Sequence, residues 1–529
     1  MMPWNNDSSS ANASAAEADK SVKVETGDDV SGNVAGAGTN EDTPKDNQKK
    51  VKTGQDQDVE MQTATRDKPK ASNESASESK QTEAEVEAEK MIRIEKLRLA
   101  QSAHRKRVVY YHHDELSIFE HGRSHPRRPF RGKLAHSLIM GLGIYSEYLE
   151  PLRPRLVSMT DFGQFHSDNY VSILRFVQEY MNPVIKERAW LNASPTIAEG
   201  EDVQTWEKIA STLKRFNLGL GADSVNSAMP GLLDYCRMYT TGTMGCVSRL
   251  MSGDADIAIN WYGGMSHARS SSAYGGCYVN DVVLAILMLL RKYQRVFFIS
   301  LDGEHCDAVE EAFYESNQVL TLSFHCNPEK GTFPATGHVD DIGIGQGEGY
   351  AVNVPLDDGA NDRTLMHFFD PIIKKIKANF KPEVIVFQSG GSLLPGDRFS
   401  KFNVSSRGIG ECLKRVRDFN VPLLCLGGSG TNMAITSKLW AYETVILTNS
   451  EDIVGFQHEK KVMDSNGDSK DDILIPQETT YREYFGPEYT LHVHNAIMEN
   501  EMTYSTSNSF KKKILDRLNK FIKPTYFQQ

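Results

Sequence analysis

From Arg107 onward the chain carries short runs of β-branched and aromatic residues: RVVYYH, ADIAINW, RVFFISLD, QVLTLSFH, YAVNVPL, EVIVFQSG, VPLLCLGG and ETVILTN. They are continuously apolar rather than apolar at alternate positions, as strands buried on both faces of a parallel sheet require. Between several of them lie longer stretches with helical character, such as CYVNDVVLAILMLLRKY and LMHFFDPIIKKIKANF. Strand, helix, strand predicts a doubly wound α/β domain. Four segments, WYGGMSH, LDGEH, QSGGS and LGGSGT, end in glycine and polar residues. Ligands of open α/β sheets bind beyond the carboxyl ends of the strands, so four such ends predict one shared site. The Gly-rich loop DIGIGQGEG (Asp341 to Gly349) lacks GxGxxG spacing and leads into a strand, which argues against a dinucleotide loop.

Residues 1–80 read differently: Ser, Ala, Glu, Asp, Lys, Thr and Gly, with hardly an aromatic after Trp4. Such a segment cannot bury enough apolar surface to offset the entropy of ordering it, and it is expected to be a disordered tail. Residues 81–107 form a helical lead-in, acidic early and basic late as the helix dipole favours, with Met91, Ile94 and Leu97 as a narrow apolar seam. The seam suits either a solvated helix leading into the domain or a partner-binding helix. Residues 108–524 form the folded domain. The basic run FKKKILDRLNKFIK near the C-terminus fits an amphipathic surface helix.

Composition narrows the function. Hydrophobic residues are 39% and charged ones 24%, ordinary for a soluble domain with a polar appendage, and the net charge of −11 argues against nucleic-acid binding through the whole surface. No direct sequence-specific DNA binding is expected. No apolar run approaches the ~20 residues of a membrane span, and no secretory signal is visible. Seven cysteines, an odd number without a CxxC pair, argue against a disulfide framework and a cysteine-ligated zinc, and fit reduced thiols in the cytosol or nucleus.

The ordered segments HPRRPFRGKLAH, FHSDNYVSILR, RFNLG, GGCYVNDVVLAIL, DAVEEAFY, VSSRGIGECL, WAYET and YREYFGPEYTLHV (Tyr481 to Val493) resemble the class I histone deacetylases from Val108 to the end of the chain. The resemblance implies an arginase/deacetylase-like three-layer fold with a central parallel sheet. It also implies a zinc ion at the floor of a narrow acetyl-lysine channel. Position by position, however, the family's chemistry is only partly kept. The family's first two metal ligands are an aspartate and a histidine; SLDGEHCD has Asp302 and Glu304 there. The third, an aspartate, falls on Ser392 in QSGGSLLPGDR. The histidine pair that moves protons becomes Ser266 and His267. The aspartate that orients the second histidine is kept as Asp307, whereas that of the first is Ser300. The oxyanion tyrosine becomes Thr431 in GGSGT.

Catalytic zinc needs three protein ligands, so zinc is expected to be absent or weakly bound. Ser300 also removes a contact to the family's structural potassium ion, which puts that ion in question. His305, beside Glu304, is weighed as a substitute zinc ligand. In the channel, Phe333 and Gly275 match, but Gly276 replaces the second clamping phenylalanine, and the wider wall it leaves suits a ligand larger than acetyl-lysine. The rim aspartate that follows RFNLG has only Asp223, after Leu220 and Gly221, as a substitute. Arg123, Arg127, Arg128 and Arg131 read as a solvated basic face. By resemblance, Arg128 and Arg398 would help hold an inositol phosphate against a corepressor, although a further arginine of that site falls at Ala434.

The expected function is that of a catalytically inactive pseudo-deacetylase, a subunit or scaffold of a nuclear deacetylase/corepressor complex in chromatin repression. An active deacetylase paralogue and corepressor subunits are its expected partners, and histone tails are possible ligands. Two alternatives stay open: an active lysine deacetylase with an unconventional metal site, and a reader that holds acyl-lysine without cleaving it.

Overall fold

A computed structural model describes residues 83–102, 105–122, 125, 127–181, 203–220, 224–463 and 469–523. The expected tail of residues 1–80 lies outside the described residues. Eight strands are involved in the central sheet: β1 Val108–Tyr111, β2 Glu150–Leu152, β3 Ile257–Asn260, β4 Val296–Gly303, β5 Val319–Cys326, β6 Ala351–Leu356, β7 Val384–Ser389 and β8 Leu423–Leu426. Their order is β2-β1-β3-β8-β7-β4-β5-β6, and every pairing is parallel.

Seven of the eight apolar runs are these strands, and the pleat explains why runs such as those of β4 and β7 are apolar at successive positions. In β4, Phe297, Ile299 and Leu301 enter one core, while Val296 and Phe298 enter the other. In β7, Ile385 and Phe387 face the first and Val384 and Val386 the second. Successive side chains point to opposite faces, so where both sides of the sheet are covered both sets of side chains are buried. Helices Phe130–Gly141, Asp362–Asn379, Ser406–Arg417, Met433–Leu447 and Tyr504–Phe521 contribute to the first core. Helices Asp168–Phe176, Leu232–Ser252 and Asp281–Leu289 contribute to the second. This is the expected three-layer α/β architecture.

Two elements depart from the sequence reading. ETVILTN is not a strand: Glu443 to Leu447 is the last part of the helix Met433–Leu447. Residues 439–447 are all buried, so this part of the helix is covered on every side, and a short stretch of it has the texture of a buried strand. Asn432 caps its start, accepting hydrogen bonds from the amides of Ala434 and Ile435. The eighth strand is β2, three residues containing Pro151, tolerated because it is a sheet edge.

The lead-in helix Glu83–Ser102 docks through part of its seam: Ile94 is buried and Leu97 packs on the same core, whereas Met91 is 53% exposed. Arg98 pairs with Glu147 at 2.7 Å, and Arg93 lies over the Phe456 ring. The C-terminal basic run is a surface helix anchored by Ile514 and Leu518.

Candidate functional site

The four glycine-rich strand ends belong to β3, β8, β7 and β4, four adjacent strands at the centre of the sheet. Bringing their turns together requires residues without side chains. Gly264, after β3, has φ +87°, and a Cβ there would lie 1.8 Å from the carbonyl oxygen of Gly427, after β8. Gly390, after β7, approaches β4 so closely that a Cβ would lie 1.3 Å from Asp302 Oδ1.

Asp302 and Glu304 leave the end of β4 in different directions. The Asp302 carboxylate is buried; Oδ1 accepts from the Ser429 amide at 2.8 Å and from the Ser429 hydroxyl, and Oδ2 from Gln388 Nε2 at 2.7 Å. Burial and the neighbouring Glu304 charge push its pKa up. Glu304 Oε2 accepts from Arg127 Nη2 at 2.8 Å and His267 Nε2 at 3.1 Å. Burial opposes its ionisation, but the two cations outweigh that and hold its pKa below the usual value. The Ser392 hydroxyl donates to the main-chain oxygen of Asp302 and contacts Ser429 Oγ.

These residues do not fit a zinc centre. Asp302 has both oxygens engaged by donors, Glu304 is held by a guanidinium, and Ser392 supplies a neutral hydroxyl already turned to the backbone. Among the described residues, no group of three or more His, Cys, Asp or Glu side chains is arranged to hold a metal ion. His305 points elsewhere, sharing hydrogen bonds with Thr336 Oγ1 at 2.8 Å and Glu310 Oε2 at 3.3 Å, so the rescue considered for it is not formed.

His267 is wholly buried between Asp307 Oδ1, at 2.8 Å from Nδ1, and Glu304. Burial alone would lower its pKa, yet the hydrogen bonds to the two carboxylates raise it to about 10. The imidazole is thus a cation at neutral pH with both N–H groups donated, an arrangement with no lone pair to accept a proton. Asp307 also accepts from Arg269 Nη2 at 3.0 Å, and Arg269 Nη1 reaches Glu311 at 2.6 Å. Arg127, Glu304, His267, Asp307, Arg269 and Glu311 therefore alternate in charge from the cleft floor outward.

Ser266 accepts from Gln388 Nε2 at 3.1 Å, and Ser300 Oγ is buried with no hydrogen-bond partner among the described residues. The Thr431 hydroxyl accepts from the Arg398 amide at 3.0 Å while its own amide donates to Asp397, so its side chain is committed to the loop.

A cleft of about 520 Å³ opens over Glu304, Ser392, Thr431, Gly275 and Phe333. Gly275 has φ +56°, and the Phe333 ring fills the space beside it; Phe333 also packs edge-on against His267 at 5.1 Å. The wider wall expected at Gly276 is not found: Arg127 Cδ and His125 Cε1 would lie 3.2 and 3.3 Å from a Cβ at that position. Nor are Arg127 and Arg131 part of a solvated face. Both are buried, and Arg131 donates to the carbonyls of Gly428 and Gly430. Arg128 and Arg398 line different clefts, the former beside His121, Phe130, Met433 and Tyr484. Arg123, Gly221 and Asp223 lie outside the described residues.

Arg127, Gln388 and Ser429 belong to the site without having been expected there from the sequence. Gln388 and Ser429 lie within the glycine-rich strand ends QSGGS and LGGSGT. Arg127 gave one local signal, its place in the segment HPRRPFR, which packs against Gly276.

A profile described as "Histone deacetylase domain" matches residues 125–447, more than half of the chain. Among similar curated proteins, histone deacetylase 6 of Arabidopsis thaliana is 38% identical over 418 residues, 79% of this chain and 78% of the relative. Histone deacetylase 3 of Oryza sativa subsp. japonica is 38% identical over 419 residues, 79% of this chain and 72% of the relative. Histone deacetylase 1 of Homo sapiens is 33% identical over 417 residues, 78% of this chain and 75% of the relative.

Proposed function

The chain belongs to the histone deacetylase family, and we propose that within it this protein is a non-catalytic member, serving as a subunit or scaffold of a nuclear deacetylase/corepressor assembly. The observation that carries this reading is the Arg127–Glu304 ion pair. A guanidinium fixed to the protein holds Glu304, the residue at a position where the family resemblance calls for a metal ligand. Three further features support it. Ser392 replaces an anionic ligand, His267 is protonated between two carboxylates, and Thr431 is bonded to its own loop. Without an activated water, a proton acceptor and an oxyanion donor, amide hydrolysis has none of its usual sources of barrier lowering.

In this role the partners are an active deacetylase paralogue and corepressor subunits, with histone tails as possible ligands and no sequence-specific DNA contact. The test is to recover the tagged protein with its assembly from nuclei and compare it with Asp302→Ala. Equal deacetylase activity in both assemblies is the expected result. Loss of activity with Asp302→Ala, in an assembly whose composition is unchanged, would assign the chemistry to this chain and contradict the reading.

A second reading, that of an acyl-lysine reader, is favoured by the open cleft with Phe333 still at its side. It is compatible with a scaffolding role.

A further inference from the structure

The cleft has apolar walls from Val225, Phe333, Phe399 and Phe402, and its volume is in the range of small-molecule sites. Its charged lining residues are Arg127, Arg398 and Lys401 against Glu304 alone, in a chain whose net charge is −11. Glu304 is already matched by Arg127 and His267. Arg398 is exposed with its guanidinium 5.3 Å from the Phe399 ring, and Lys401 is 3.7 Å from Asp358. Arg127 is only 7% exposed, and while Nη2 serves Glu304, Nη1 has no hydrogen-bond partner among the described residues. A buried donor left without an acceptor is costly, and an anionic acceptor bonds a guanidinium about twice as strongly as a neutral one.

We propose that this cleft binds a carboxylate at the end of a short acyl chain. Arg127 receives the carboxylate, the phenylalanines cover the methylenes, and Arg398 and Lys401 give the mouth its positive charge. Acetyl-lysine offers only a neutral carbonyl oxygen to the same guanidinium and is the poorer ligand. The proposal rests on the non-catalytic reading of the site and names the ligand class it selects. The acyl chain can belong to a free dicarboxylic acid or to a lysine acylated by one.

The experiment is calorimetric titration of the full-length protein with a glutaryl-lysine peptide, the same peptide with a carboxamide in place of the terminal carboxylate, the acetyl-lysine peptide, and free glutarate. The glutaryl peptide or glutarate is expected to bind at least about tenfold tighter than the carboxamide peptide, a difference of about 1.4 kcal/mol. That preference is expected to vanish in Arg127→Met/Glu304→Gln, which removes both charges and leaves neither unpaired. Should that variant not fold, Arg398→Gln/Lys401→Gln, on the exposed rim, is expected to weaken the acid several-fold and leave the carboxamide unchanged. Glutarate binding as tightly as the peptide supports a free acid as the ligand; peptide binding that is tenfold tighter supports acylated lysine. Equal binding of acid and carboxamide, absence of binding by both acids, or a preference that survives the charge-removing variant overturns the proposal. Mass spectrometry of the same samples keeps the two readings apart, because released glutarate or acetate would contradict the non-catalytic reading whatever the binding ratio.

Discussion

Arg127 Nη2 donates to Glu304 Oε2 across 2.8 Å, joining the HPRRPFR segment to the end of β4 at the floor of the cleft. The pair places a permanent positive charge beside the residue that would otherwise be free to meet a metal ion. Glu304 is thereby held as an anion without a metal, and His267 is held as a cation by Glu304 and Asp307.

Breaking this pair from one side should be costly. Arg127→Met leaves Glu304 partly buried with only His267 as a partner, and we expect a loss of about 3 kcal/mol in urea unfolding. Arg127→Met/Glu304→Gln should recover most of that loss. A single Arg127 variant as stable as the parent would show that the pair contributes nothing.

Gly264→Ala tests the convergence of the strand ends. The substitution puts a Cβ into the Gly427 carbonyl at a positive φ, and we expect at least ~3 kcal/mol of destabilisation or failure to yield folded protein. Near-parental stability in thermal unfolding would mean that the turns after β3 and β8 are not packed as described.

Glu443 gives a pH dependence away from the cleft. It is fully buried, accepts a hydrogen bond from Ser389 at 2.6 Å, and burial pushes its pKa up to about 8 despite that bond. The folded state therefore holds a proton that the unfolded chain releases near pH 4.5, the ordinary value for glutamate. Stability should fall as pH rises from about 4.5 and level off above about 8, with a total on the order of 2–4 kcal/mol. Glu443→Gln should flatten the dependence of Tm on pH in this window and be the more stable form at pH 8. Parallel Tm profiles for the two proteins would contradict the assignment.

Much of the fold was legible because a parallel sheet covered on both faces writes itself as continuous apolar runs, as the first residues of β4 and β7 show. The same signal failed at Trp440–Leu447, a helix buried on all sides, and at Glu150–Leu152, too short and too polar to register. The positions of Asp302, Glu304, Ser392, Ser266, His267 and Asp307 were legible from ordered motifs. What occupies Glu304 was not, because Arg127 lies 177 residues away and is brought to it by tertiary packing, beside Gly276, that its own neighbours in sequence do not signal.

Restoring activity should need more than the residues absent from the family motifs. Thr431→Tyr alone is expected to give no turnover. Ser392→Asp, Glu304→His, Ser266→His, Ser300→Asp and Thr431→Tyr together would still have the Arg127 guanidinium against the residue at position 304. We expect metal uptake and turnover only when Arg127→Met is added, measured as zinc content and acetyl-lysine hydrolysis. Turnover by the Thr431→Tyr variant alone would mean that an activated water is already present.

The most direct test of the central claim is elemental analysis of the freshly purified full-length protein, free of any other deacetylase, paired with hydrolysis of acetyl-lysine and longer acyl-lysine peptides on the same sample. The predicted result is zinc far below one ion per chain and no product. About one tightly held zinc per chain, with turnover that Asp302→Ala abolishes in a folded protein, would contradict the account.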